Sequence, residues 1–156
     1  MDWFVRAFIR SSLVWFAAGV TLGLAMAVFP SLTVYRVAHL HLNLLGFLTQ
    51  MIYGVSLHVV PRFFGQPIVY RRLAGAQFWL AQAGLLLLVP GFALRVGAAG
   101  AAGAAGAATA LIVAGAVASA TAAYFFIVNL WVTINASPMQ ATRSRGRAVP
   151  LAPQGE

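Results

Sequence analysis

Four long apolar runs, separated by short polar or proline-bearing breaks, dominate the pattern of this chain. The first covers about 11–29 and stops at Pro30, and the second covers about 38–60 and stops at Pro61. The third covers about 73–94 and the fourth about 107–134. Each run is close to the ~20 residues that a helix needs to cross the hydrocarbon core of a bilayer. Lipid offers no hydrogen-bond partner, so a spanning segment must satisfy its backbone internally, as a helix does. The pattern predicts an all-α fold, an integral membrane four-helix bundle over 1–136. It also predicts a disordered tail at 137–156, where proline, arginine and glycine replace the apolar run.

Composition agrees. Of 156 residues, 62% are hydrophobic and only 8% charged, too few for the surface of a soluble domain of this size. The only acidic residues are Asp2 and Glu156. There is no cysteine, which excludes disulfides, thiolate ligands, iron–sulfur clusters and covalent c-type heme attachment. The net charge of +8 is that of ten arginines less the two acidic residues, and the arginines sit at the ends of the apolar runs. Membrane topology accounts for them, and nucleic-acid binding is not implied.

Arginine placement sets an orientation. Arg6 and Arg10 precede the first run, Arg62, Arg71 and Arg72 separate the second from the third, and Arg143, Arg145 and Arg147 follow the fourth. In a four-helix topology these share one side, leaving Arg36 and Arg95 on the other. The positive-inside rule then puts both termini in the cytoplasm of a bacterial or archaeal inner membrane. Ala25-Met26-Ala27 resembles a signal-peptidase site, but the run is long enough to stay as the first helix. The repeat AAGAAGAAGAA at 98–108 carries no chemistry. It either extends the fourth helix outward or lets helices approach closely.

The chemistry sits in the second run, which holds all three histidines, His39, His41 and His58. Imidazoles are costly in lipid and so usually have a function there, ligation of a metal or heme being the leading candidate. His58 lies 19 residues after His39, about 28 Å along a helix, so one metal within one chain does not take both. At 100° per residue, His39, Asn43, Gly46, Gln50, Tyr53, Gly54 and Leu57 share one small and polar face. His41, Leu45, Leu48, Ile52, Val55 and Val59 lie opposite. The polar face is expected to turn inward, with Gly46 and Gly54 leaving room for a bulky flat ligand or a close helix. That favours His39 as an inward-facing ligand. His41 is left to ligate, to meet a neighbouring subunit or to snorkel to water. The plain alternative for His39 is a helix-entry histidine bonded to a backbone carbonyl, and for His58 an interfacial histidine beside Arg62. Trp3, Phe4, Trp15, Trp79 and Trp131 read as interface belts and packing. Asn129 and Asn135 read as interhelical glue or a helix end.

The stretch from Arg36 to Gly65 resembles helix II of the heme-copper oxidase large subunit, especially its C-type branch. In that family a histidine ligand to low-spin heme is followed by an apolar, small-residue run and a Val-Val-x-Arg-like motif. Here His39 precedes Pro61 of Val59-Val60-Pro61-Arg62 by 22 residues. The stretch is also similar to the NnrS family, heme- and copper-containing membrane proteins of the nitric oxide response. Their pattern is matched by His39, His41, Gly46, Phe47, Gly54, Val60, Pro61 and Gly65. The resemblance covers about 30 of 156 residues.

The resemblance implies heme b held by His39, with His41 as an alternative or second ligand and Arg36 beside the propionates. Asn43, Gly46 and Gln50 would lie along the same face, with Tyr53, Gln77 and Gln82 extending the lining. The departures are as informative. Both families have about twelve helices, and their further histidines have no counterpart outside this chain's second run. No span carries a carboxylate, so a self-sufficient oxygen-reducing enzyme is not expected. The oxidase subunit is built as three arcs of four helices. A chain resembling one arc would form a homo-oligomer, a dimer or trimer, and hold heme between subunits. Its chemistry would be electron transfer with a respiratory-chain donor, or nitric oxide or oxygen binding. A copper- or zinc-binding membrane protein and a non-catalytic accessory subunit of a respiratory complex are the rival readings.

Overall fold

The structure, a computed structural model, describes residues 1–97 and 102–136. It contains four helices long and apolar enough to cross a membrane. We label them α1 (Trp3–Val28), α2 (Pro30–Phe63), α3 (Arg71–Gly97) and α4 (Ala102–Ile134). All four are longer than the segments expected from hydropathy. The predicted tail and residues 98–101 of the alanine–glycine repeat lie outside the described residues. The rest of that repeat is helical and forms the first turns of α4.

The N-terminus differs most from expectation. Arg6 and Arg10, expected to precede the first helix, lie within α1. Its first turns are amphipathic: Phe4, Val5, Phe8 and Ser12 are buried while Arg6 and Arg10 stay exposed. Phe4 is therefore core, and Trp3 packs edge-on against Phe4 and Phe78. At 26 residues α1 is about 39 Å long, enough to carry Arg6 beyond a hydrocarbon core of ~30 Å with Arg10 at its edge.

Two short breaks set the ends of α2. Phe29 leaves the helical conformation, and Pro30 reopens it at a first-turn position, where a missing N–H costs nothing. At the other end α2 runs through Pro61, expected to stop it, and closes two residues later. Gly65 sits at φ +64°, with Gly65 N–H donating to Arg62 O at 3.1 Å and Gln66 N–H to Pro61 O at 2.8 Å. That pair of bonds is a Schellman cap, which needs a left-handed residue and so favours glycine. Gly65 thus has a structural reason to be glycine.

The winding of α2 changes along its length. A 3₁₀ turn spans Pro30–Tyr35, an α-helical turn Arg36–His41, a π-helical stretch Leu42–Thr49, and regular α-helix Gln50–Phe63. Leu42, Gly46 and Gln50, four residues apart along this stretch, are all buried.

The helices pack up-down-up-down. Gly19 approaches Asn43, Gly46 approaches Trp15 and Gly54 approaches Ile9, so α1 and α2 run antiparallel. Trp3 lies over Gly75 and Trp15 bonds to Gln82, so α1 and α3 run parallel. The most extensive contact joins α3 and α4. Along α4, Ala108, Gly115, Ala122 and Asn129 are buried at every seventh position. Gln77, Gly84 and Gly91 of α3 are buried at the same spacing, with Gly84 against Gly115 and Gly91 against Ile112. A seven-residue repeat of small residues gives close, left-handed packing of membrane helices. A methyl group on Gly115 would fall 2.8 Å from both Gly84 O and Leu88 N. An aromatic core of Phe4, Phe8, Tyr53 and Phe78 fills the arginine-rich end of the bundle.

Candidate functional site

The start of α2 carries the candidate ligands at the end of the bundle opposite the N-terminus. His39 turns toward α1. Its Nδ1–H donates to Gly19 O at 3.0 Å, and its ring lies against Gly23, where an added methyl would sit 2.9 Å from Cε1. Gly19 is likewise required by the Asn43 side chain, which would lie 2.7 Å from a methyl there. Two glycines of α1, one turn apart, therefore form the seat for His39 and Asn43. Asn43 donates to His39 O at 2.9 Å, and its amide nitrogen comes no closer than 3.4 Å to either ring nitrogen.

His41 turns the other way. Two residues apart on a helix means about 200° of rotation, so the pair does not converge on one point. The His41 Nδ1–H donates to Val37 O at 2.9 Å, and its ring stacks on Phe92 of α3 with centroids 4.7 Å apart. It is half-buried between helices, although its place on the wheel grouped it with aliphatic residues.

Both imidazoles share one chemical feature. A carbonyl oxygen only accepts, so each Nδ1 bonded to a carbonyl must carry the proton. In the neutral ring the lone pair then lies on Nε2. A metal-ligating histidine is arranged in the same way, with the outer N–H held by a carbonyl and the other nitrogen presented. Both rings are only partly buried. Arg36, one turn before His39, is exposed at the same end. The donor set at this end is thus compatible with a group that takes one imidazole per chain, with an exposed arginine one turn earlier on the same helix.

The remaining expected residues sit elsewhere. Gly46 accommodates Trp15, whose Cβ would lie 2.7 Å from a methyl at Gly46, and Leu85. Gly54 accommodates Phe8 and Ile9. Of the two uses expected for these glycines, the close helix is the one present within the protomer. Gln50 is completely buried, about 16 Å further along the helix than His39. Its Oε1 accepts from Ser11 Oγ at 2.6 Å and from Gln82 Nε2 at 2.7 Å. Gln82 also donates to Ser11 Oγ at 3.0 Å and accepts from Trp15 Nε1 at 2.9 Å. This network ties α1, α2 and α3 together. Ser11 and Trp15 were not expected in it; the usable signal was their match in depth to Gln50 and Gln82. Gln77 is also completely buried, and neither of its amide atoms has a partner among the described residues. His58 lies at the other end against Arg62, as an interfacial histidine would.

Among the described residues no three His, Asp or Glu side chains converge on a metal-sized space. Neither a protein-family model nor a curated protein matches the sequence.

Proposed function

We propose that the chain is a b-type heme-binding membrane protein in which His39 Nε2 supplies one axial ligand and a second protomer completes the site. The observation that carries this is the bond from His39 Nδ1–H to Gly19 O, which leaves the lone pair on Nε2 of a half-buried ring. When bound, heme supplies one-electron redox chemistry or an open position for a diatomic gas. The chain's own part is to orient the imidazole, keep the ring out of bulk water, and offer a cation at the membrane edge. Gly19 and Gly23 set the orientation, and Asn43 flanks the ring. Arg36 is placed to pair with a propionate by charge-assisted hydrogen bonds. His41, held in the same tautomer, is the ligand a neighbouring chain would offer. Both termini lie on the cytoplasmic side in this reading, which puts His39 near the outer leaflet.

One observation favours a second reading. The His39 ring fits its glycine seat closely enough to serve as a packing element alone, as in an accessory subunit of a respiratory complex. Heme stoichiometry separates the two. The protein, expressed with ample heme and sized in detergent, should be an oligomer carrying heme at no more than one per pair of chains. An oligomer free of heme would leave only the packing role.

A further inference from the structure

The arginine-rich end of the bundle holds a feature that topology alone does not require. A groove of about 520 Å³ opens on Val69, Tyr70, Arg71, Arg72 and Leu73, where α3 begins. Its walls are almost wholly apolar, and its size falls within the range that takes a small-molecule ligand. Its floor is held firmly: Asn129 Oδ1 accepts from Tyr70 N–H at 3.3 Å while its Nδ2 donates to Tyr70 O at 3.1 Å. Thr133 Oγ1 accepts from Val69 N–H at 3.3 Å. The groove is therefore a built part of the fold, clamped by two buried residues of α4.

We infer that this groove binds an anionic phospholipid, with an acyl chain along Val69 and Leu73 and the phosphate at Arg72. Position argues for a lipid. The groove lies where α3 leaves the apolar span, beside Tyr70 and close to Trp3 over Gly75, the level at which aromatic belts and headgroups meet. Charge argues for an anionic one. Arg6, Arg10, Arg62, Arg71 and Arg72 are all exposed at this end. Among the described residues the single carboxylate there, Asp2, is already paired with Arg71. Arg72 is thus the groove's cation without a carboxylate partner among those residues. The first turn of α3 carries no acidic side chain to offset its helix dipole. Basic pockets beside membrane helices favour anionic headgroups on these grounds. The positive-inside bias explains which side the arginines occupy, but not an apolar groove at one of them.

The test is native mass spectrometry of the full chain released from nanodiscs of equal phosphatidylglycerol and phosphatidylcholine. The wild type should retain one phosphatidylglycerol in preference to phosphatidylcholine. Arg72→Gln should lower that retention about fivefold, the effect of one arginine at an anionic surface. Val69→Trp, which fills the apolar part at an exposed position, should lower it without removing charge. Arg10→Gln, on α1 and away from the groove, should leave it unchanged. Equal loss in Arg10→Gln would reduce the effect to diffuse attraction and overturn the site. Equal retention of both lipids would overturn its charge selectivity. Competition by glycerol phosphate as effective as by the lipid would make it an anion site and overturn the acyl-chain contact.

Discussion

Replacing Gly23 with alanine tests the seat of His39 without touching the histidine. The new methyl would lie 2.9 Å from His39 Cε1, against about 3.4 Å for ordinary van der Waals contact. The ring must therefore retreat by about 0.5 Å. Retreat away from α1 stretches the Nδ1···Gly19 O bond from 3.0 Å to about 3.5 Å, the outer edge of a useful hydrogen bond. A bond of this kind is worth about 0.5–1.5 kcal/mol, so its loss weakens tautomer selection about 2- to 13-fold. The alanine also gains up to about 1 kcal/mol of helix propensity over glycine. Global stability should thus change by less than about 1 kcal/mol, while the tautomer and any Nε2 ligation shift. The assay pairs ¹⁵N-histidine spectra with a heme titration. The Nδ1–H population of His39 should fall and heme affinity should drop by the same 2- to 13-fold. Gly103→Ala, with nothing within 4 Å of its methyl, should change neither. An unchanged Nδ1–H signal and unchanged affinity in Gly23→Ala would refute the claim that α1 sets this imidazole.

Three further outcomes follow from the packing. Gly115→Ala should destabilise the bundle by about 1–3 kcal/mol in a detergent-unfolding titration, because backbone atoms of α3 meet the new methyl and cannot swing aside; a neutral result would contradict the close crossing. Gln82→Leu removes the partner of Trp15, Ser11 and Gln50 together. It should cost about 1–3 kcal/mol in the same titration, at the modest per-bond values found in membranes. Asn129→Leu should release the segment before α3, seen as faster amide hydrogen exchange at Val69 and Tyr70 with the rest of α4 still protected.

The four spans were legible because lipid demands long apolar helices, and nothing in the chain competes with that reading. Their ends were less so. Arg6 and Arg10 looked like a flank, although Phe4, Phe8 and Ser12 already carried a four-residue spacing that belongs to a buried helix face. Pro61 looked like a stop, but its ring is accommodated within the helix and the true signal was Gly65, the residue able to take a left-handed cap. The polar face of α2 was legible from Asn43, Gly46, Gln50 and Gly54. That it would meet α1 rather than an open pocket was not, since the partners Trp15, Ile9 and Gly19 lie 24 or more residues away in sequence. The π-helical stretch over Leu42–Thr49 has no local marker, because winding there answers to packing on both sides.

The central claim is that His39 holds heme through Nε2. Its most direct measurement is the absorption spectrum of detergent-purified protein, oxidised and dithionite-reduced, in wild type, His39→Ala and His41→Ala. The account predicts a reduced b-type spectrum in the wild type that is lost in His39→Ala. A wild-type protein without a Soret band after expression with ample heme, or a spectrum that survives His39→Ala, would contradict it.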